Sequence, residues 1–445
     1  MLKKWNLMLA SIVALSLLLA ACSSSNSSSN GAASNTGTEE AGGKPGGTVE
    51  YWSMFSEGEP LQLWLADAFK QFETETGIKV NPTWAGRDVI TKLRSNLLAG
   101  KVPDLIEQSN SELTAGLVSN ELAAPLDDYL ATSAYDSDQK WMDTFIPNVM
   151  KQMQYTDSKT YVIPRDTYTS GFFYSAALFK KLGLQPPTTW EEFLKVCEAL
   201  KKQGIAPIAA DGNIQFYNFW YFSWLAMREV GPDKLYAAAG DKTGEAWRDP
   251  GFLEAAKKLR YLIDQEYFAQ GYEGSAYPSG QVNWVNGKAG MILNGAWLPS
   301  ELAKQTPDGF DMQMFKFPDL GAYDGTTAEV WVNGWLLLKD AKNKDAAVQL
   351  LKFLTSKQQM DKVAQLGTPV STLQSVTPKA LTAQTEIFNT ASKVIPKWGG
   401  LEKDFAELNK RVLWAVDDQL FFGKLTPEQF IEQTVKQQKA FYANK

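Results

Sequence analysis

From Thr48 onward, short apolar runs alternate with amphipathic helical segments, and this alternation restricts the fold more than any other feature of the chain. Thr48-Val49-Glu50-Tyr51-Trp52 reads as a first strand. Leu61, Leu65, Ala68, Phe69 and Phe72 follow at three- and four-residue spacing, the period of one helix face. Gly77 suits a left-handed helix cap, and Ile78-Lys79-Val80 reads as the next strand. A helix over 89–99 stops at Gly100, and Pro103-Asp104 leads into the apolar pair Leu105-Ile106. Strand, helix, strand, helix, strand is the order of a parallel sheet covered by helices, so the fold class is α/β.

The later chain repeats this logic. Thr189-Trp190-Glu191-Glu192 is a capping box, opening a helix whose face is Trp190, Phe193, Cys197 and Leu200. Cys197 on that stripe reads as a buried core thiol. Gly204 stops the helix and 205–210 reads as a strand. Asp249-Pro250 opens a helix through Ile263. Segments 345–366 and 404–422 read as long amphipathic helices, and Thr426-Pro427-Glu428-Gln429 caps the last one. No short-period repeat, heptad pattern or polar linker interrupts 48–445. The halves therefore pack together or share chain crossings.

The first 47 residues have a different character. Lys3 and Lys4 precede an uncharged apolar run over 7–21, shorter than the ~20 residues of a membrane-spanning helix. The run ends in Leu19-Ala20-Ala21-Cys22, which resembles the lipobox of bacterial lipoproteins. That resemblance implies a signal peptide over 1–21, cleavage before Cys22, and lipidation of its thiol. Two or more acyl chains, such as palmitate, hold a protein to a membrane where one alone is marginal. Residues 23–47 are rich in Ser, Asn, Gly and Thr, with no aromatic or large aliphatic side chain. They read as a disordered tether with a reach of about 25–30 Å.

Composition excludes several chemistries. The chain has no histidine, which removes histidine triads, histidine metal sites and the usual near-neutral acid–base group. Its two cysteines, Cys22 and Cys197, cannot build a zinc site, and no metal or cofactor is expected. With 44 basic and 50 acidic residues, the chain lacks the basic surface that nucleic acid requires. No phosphate loop, dinucleotide fingerprint or nucleophile elbow is present. Ser137…Lys140 and Lys242-Thr243-Gly244 match motifs of penicillin-recognising enzymes, but both fall in polar, turn-like contexts. Glu57, Glu59, Asp104 and Glu329 keep a two-carboxylate, glycosidase-like enzyme as the alternative reading.

Aromatic residues carry the positive signal: 15 Trp, 16 Tyr and 23 Phe. Trp52, Trp84, Trp297, Trp331 and Trp398 fall at element ends, where ligands of parallel sheets bind. Flat rings there suit the apolar faces of sugars, and nearby Asp, Glu, Asn and Ser suit hydroxyls. Trp64, Trp190, Trp224, Trp335 and Trp414 fall instead on helix or strand core faces.

Six stretches, in order and spacing, resemble the extracellular solute-binding proteins of family 1, the maltose-binding-protein type that serves ABC importers. They are AFKQFETETGIKV (68–80), LLAGKVPDLI (97–106), GLVSNELAAPLDDYL (116–130), GFFYSAALFKKLGLQPPTTWEEF (171–193), GKAGMILNGAW (287–297) and KDAAVQLLKFL (344–354). The resemblance implies a periplasmic-binding-protein-like fold of two discontinuous α/β lobes with a hinge and a ligand cleft between them. It divides the chain into 48–167 plus 334–367 and 171–330 plus 371–445, with crossings near 167–171, 330–334 and 367–371. It implies a binding protein rather than an enzyme: a monomer tethered to the outer face of the cell membrane. There it would capture an oligosaccharide by hinge closure and pass it to importer permease subunits. By position the family's ligand contacts fall on Trp52, Ser53, Phe55, Glu57, Arg87, Asp88, Ser109, Asn110, Tyr168, Trp220 (or Tyr217), Trp297, Trp331 and Trp398. Gln108 and Ser111 stand where some relatives place a tryptophan and an acid, which argues against maltose itself.

Overall fold

The apolar runs of the sequence become strands wherever both faces can be covered. The computed structural model describes residues 47–444 except 99, 101, 367–369, 377–383, 385 and 388–390. The leader, Cys22 and tether residues 23–46 lie outside the described residues. Among the described residues, no helix is long and apolar enough to cross a membrane. In chain order the strands are β1 (Thr48–Ser53), β2 (Lys79–Trp84), β3 (Leu105–Ser109), β4 (Val162–Tyr168), β5 (Ser170–Ser175) and β6 (Ala206–Ala209). Then come β7 (Ala289–Gly295), β8 (Met312–Phe315), β9 (Ala328–Glu329), β10 (Trp331–Leu337), β11 (Val370–Ser371) and β12 (Val394–Ile395).

Two main sheets result. The first has the order β11-β4-β10-β3-β1-β2, the second β6-β7-β5-β8, and β12 pairs with β9 as a short ribbon. β1 is parallel to β2 and β3, as the alternation predicts. β10 departs from it, running antiparallel between β3 and β4. The segment 330–334, expected as a crossing, therefore opens a central strand. β2 runs on past the expected Ile78-Lys79-Val80 and accommodates Pro82, because β2 is the sheet edge and needs no second ladder of donors.

The helices follow their sequence signals at the ends. Helix Pro60–Thr76 buries Leu61, Leu65, Ala68, Phe69 and Phe72, and Gly77 closes it at φ 76°. Thr189 caps helix Trp190–Lys202, and its buried stripe includes Cys197, a free thiol pushed up by burial. Two expected long helices are broken. Segment 345–366 splits into Lys344–Leu354 and Lys357–Gln365, because Ser356 turns its hydroxyl to the Gln359 N–H and starts a new helix. Segment 404–422 breaks at Phe405 and passes through a π turn at Asn409–Leu413, with the Asn409 amide donating back to the Leu401 carbonyl at 2.7 Å.

One core forms around the first sheet from residues between Val49 and Ile163 and between Val330 and Val376. A second draws on Phe172 to Phe317 and Ile395 to Phe441, and a smaller one covers the other face of the second sheet. Two expected boundaries shift accordingly. Val330 and Val332 already pack in the first core. Ser371 pairs with Asp166 in β4, and Leu373 and Val376 also belong to the first core, while the second core resumes at Ile395. Asp104 stitches the first sheet together: its carboxylate accepts the backbone N–H groups of Glu50 (3.0 Å), Lys342 (2.8 Å) and Asn343 (2.9 Å).

Candidate ligand-binding cleft

A cavity of about 410 Å³ opens beside the passage from β4 to β5. Met54, Phe55, Glu59, Pro60, Leu61, Arg87, Gln108, Ser109 and Asn333 line it from the first sheet and its loops. Trp297, Ser300, Glu301 and Glu402 line it from the other side, with Tyr168 and Trp331 between. Tyr168 and Trp331 are register partners on β4 and β10, so their rings stack, 5.7 Å apart and 7° from parallel. Trp297 meets both edge-on, at 5.9 and 5.2 Å. The three rings make one aromatic corner of the kind that accepts the flat face of a ligand.

A buried carboxylate supports that corner from behind. Glu329 is fully buried and accepts from Ser170 Oγ (2.6 Å), Trp220 Nε1 (3.0 Å) and the Trp398 backbone N–H. Burial pushes its carboxyl up to about 7, against the pull of those donors and of Lys397. Lys397 sits among four rings, 4.4 Å from Trp398 and 5.1–5.3 Å from Phe216, Trp220 and Trp331. Its ammonium pairs with Glu402 at 3.0 Å, and Glu402 accepts from Ser111 Oγ at 3.2 Å. On the opposite wall two guanidiniums lie over the Phe55 ring, Arg87 at 5.1 Å and Arg165 at 5.0 Å. Arg165 is buried against Glu107 and Asp166.

Of the residues expected from sequence, Phe55, Arg87, Ser109, Tyr168, Trp297 and Trp331 line this cavity. Asn110 lines a neighbouring one of about 200 Å³, which shares Trp331 and Glu402. The others lie elsewhere. Trp52 packs against the first core. Ser53 is buried, donating to Glu107 and accepting the Phe55 N–H at 3.0 Å. Glu57 and Asp88 are exposed and off the cavity. The turn at Gly58 (φ 87°) brings Glu59 round instead, and Glu59, not Asp88, pairs with Arg87 at 2.6 Å. Trp220 and Trp398 are buried behind the aromatic corner rather than in it. Tyr217 also stands behind, its hydroxyl accepting from Trp297 Nε1 at 3.2 Å.

Sequence reading missed Met54, Pro60, Leu61, Ser300, Glu301, Asn333 and Glu402. Spacing held a signal for one of them: Glu301 follows Trp297 by one helical turn. Of the four carboxylates behind the enzyme reading, Glu59 alone lines the cavity, where it is paired with Arg87; Glu57 faces solvent, Asp104 is tied to backbone N–H groups of the first sheet, and Glu329 is sealed in the core. The motif around Ser137 lies on a surface turn, as does Lys242-Thr243-Gly244.

A family model described as bacterial extracellular solute-binding protein matches residues 56–361. The chain is 26% identical over 329 residues to the multiple sugar-binding protein of Streptococcus mutans, covering 73% of this chain and 75% of that one. Among solved structures, a chitin oligosaccharide binding protein superposes with a TM-score of 0.70 at 23% identity, covering 89% of this chain and 99% of that one. RafE from Streptococcus pneumoniae, in its apo form, superposes with a TM-score of 0.71 at 18% identity, covering 89% and 98%.

Proposed function

The chain belongs to the bacterial extracellular solute-binding proteins, and from that premise we propose that it captures an oligosaccharide and delivers it to an ABC importer. It is a binding protein, not an enzyme, and it works outside the cytoplasm. The observation that carries the ligand class is the corner of Tyr168, Trp297 and Trp331 sharing one cavity with Gln108, Ser109, Asn333 and Ser300. Stacked rings take the apolar face of a pyranose and amides and hydroxyls take its rim. The sugar-binding names of its relatives support the same class.

In this reading one lobe comprises 48–167 with the returning β10 segment and the following chain to about 376, and the other holds the rest. The passage from β4 to β5 and the step from β9 to β10 act as hinge strands, and the cleft closes over the sugar. Residues 1–21 are removed on export, and lipid on Cys22 holds the monomer to the outer membrane surface through the 23–47 tether. A melting-temperature screen of the protein against oligosaccharides tests the core of this reading. A ligand at 100 times its Kd adds ~2.7 kcal/mol, a shift of a few degrees, with the sugar recovered intact. No shift across neutral, acidic and amino oligosaccharides would overturn the carbohydrate assignment.

A further inference from the structure

The charges lining the cleft do not cancel. Its charged residues are Glu59, Arg87, Glu301 and Glu402. Arg87 is committed to Glu59 by two hydrogen bonds, at 3.2 and 2.6 Å. Glu402 is neutralised by Lys397 at 3.0 Å. Among the described residues Glu301 has no ion-pair partner. Its backbone N–H bonds to the Trp297 carbonyl at 3.1 Å, so its side chain rises one turn beyond the Trp297 ring, on the cleft wall. Burial pushes its carboxyl up to about 6 and the nearby Asp211 charge adds to that, while Gln281, Tyr277 and, from across the cleft, Arg87 favour the ionised form, which prevails at pH 7.5.

We infer that the cleft selects saccharides by charge, rejecting units that carry a carboxylate, sulfate or phosphate and favouring an amine-bearing unit over its neutral counterpart, with Glu301 setting that order. This rests on the carbohydrate reading above. An acidic sugar at the aromatic corner would meet the Glu301 carboxylate. Taking Arg87 for its own partner would only strip Glu59 of its cation. Two like charges at ~4 Å weaken binding about five-fold even at the dielectric of water, and more between apolar walls. Specificity built from such a repulsive element needs no additional attractive contact.

The test offers the full chain an equimolar pool of maltotriose, cellotriose, raffinose and stachyose at pH 7.5. Each is present unmodified, oxidised at C6 to the carboxylate, and aminated at C6, and retained sugars are identified by mass. The expected result is that, for whichever linkage is retained, the acid form is captured at least about five-fold less than the neutral form. The amine form should be captured more than the neutral one. Glu301→Gln should bring the three forms towards equal capture, and Glu301→Asp should keep the order. Equal capture of acid and neutral forms by the unaltered protein overturns charge selection while leaving the carbohydrate reading in place. Selection that survives Glu301→Gln overturns the role of Glu301. Retention of nothing in any form overturns the carbohydrate reading and this inference with it.

Discussion

Three tryptophans with similar sequence settings do different work. Trp297 and Trp331 stand on the cleft, whereas Trp398 is 2% exposed and lies at φ 52° behind it. Trp297→Ala and Trp331→Ala should each weaken oligosaccharide binding by about 1–3 kcal/mol in calorimetric titration, with little loss of stability. Trp398→Ala should instead cost about 3–5 kcal/mol of folding stability, read from urea unfolding, because it empties a packed site. Equal stabilities for the three variants would contradict this division. Glu329 gives a second residue-level expectation. Its folded carboxyl titrates at about 7, above the ordinary 4.5, so the native state holds a proton that the unfolded chain has lost between those values. Its contribution to stability is therefore full below pH ~4.5 and declines as pH rises towards 7, by up to about 3 kcal/mol. Urea midpoints at pH 5 and pH 7.5 should differ less in Glu329→Gln than in the unaltered protein. The same pH dependence in both would show that other groups carry it.

At the scale of elements, β10 decides the architecture. It brings Trp331 beside Tyr168 and Asn333 beside Ser109, joining the aromatic corner to the polar wall. Its register slips between Asn333 and Gly334, and a Cβ at Gly334 would stand 2.3 Å from the Ile163 carbonyl oxygen. Contact that short cannot be relieved by rotating a side chain, so β10 and β4 would have to separate. Gly334→Ala should lower Tm by several degrees and weaken sugar binding, while Gly274→Ala, where nothing lies within 4 Å and φ is not positive, serves as the control for a lost glycine. A Gly334→Ala protein that melts with the parent and binds equally would show that the strands tolerate the extra atom.

For the whole molecule, the arrangement of two sheets about one cleft predicts a change of shape on binding. Glu402 from the second core's side already touches Ser111 at the head of the helix after β3. Ligand held by both walls would favour the conformation in which such contacts persist. Small-angle scattering should therefore give a smaller radius of gyration at saturating oligosaccharide than without it. An unchanged radius with confirmed binding would mean that capture needs no closure.

Local chemistry wrote much of this fold into the sequence. Helix faces, the Thr189 and Thr426 capping boxes, the Gly77 stop and the parallel β1–β2–β3 unit all depend on neighbours a few residues apart, and each is found as expected. The family of the chain was legible for the same reason, through ordered local stretches. Pairing between distant segments was not. Nothing local to Trp331–Leu337 says that it slots between β3 and β4, since an apolar run suits either strand direction. The site divides along the same line. An aromatic at an element end is a local fact, but whether its ring meets the cleft or the core depends on what packs behind it. Trp297 and Trp331 met the cleft, and Trp220 and Trp398 met Glu329 and Lys397, a carboxylate and an ammonium that burial obliges to find partners. Sequence thus determined which elements form and what chemistry they carry, and tertiary packing decided which side chains share the cleft.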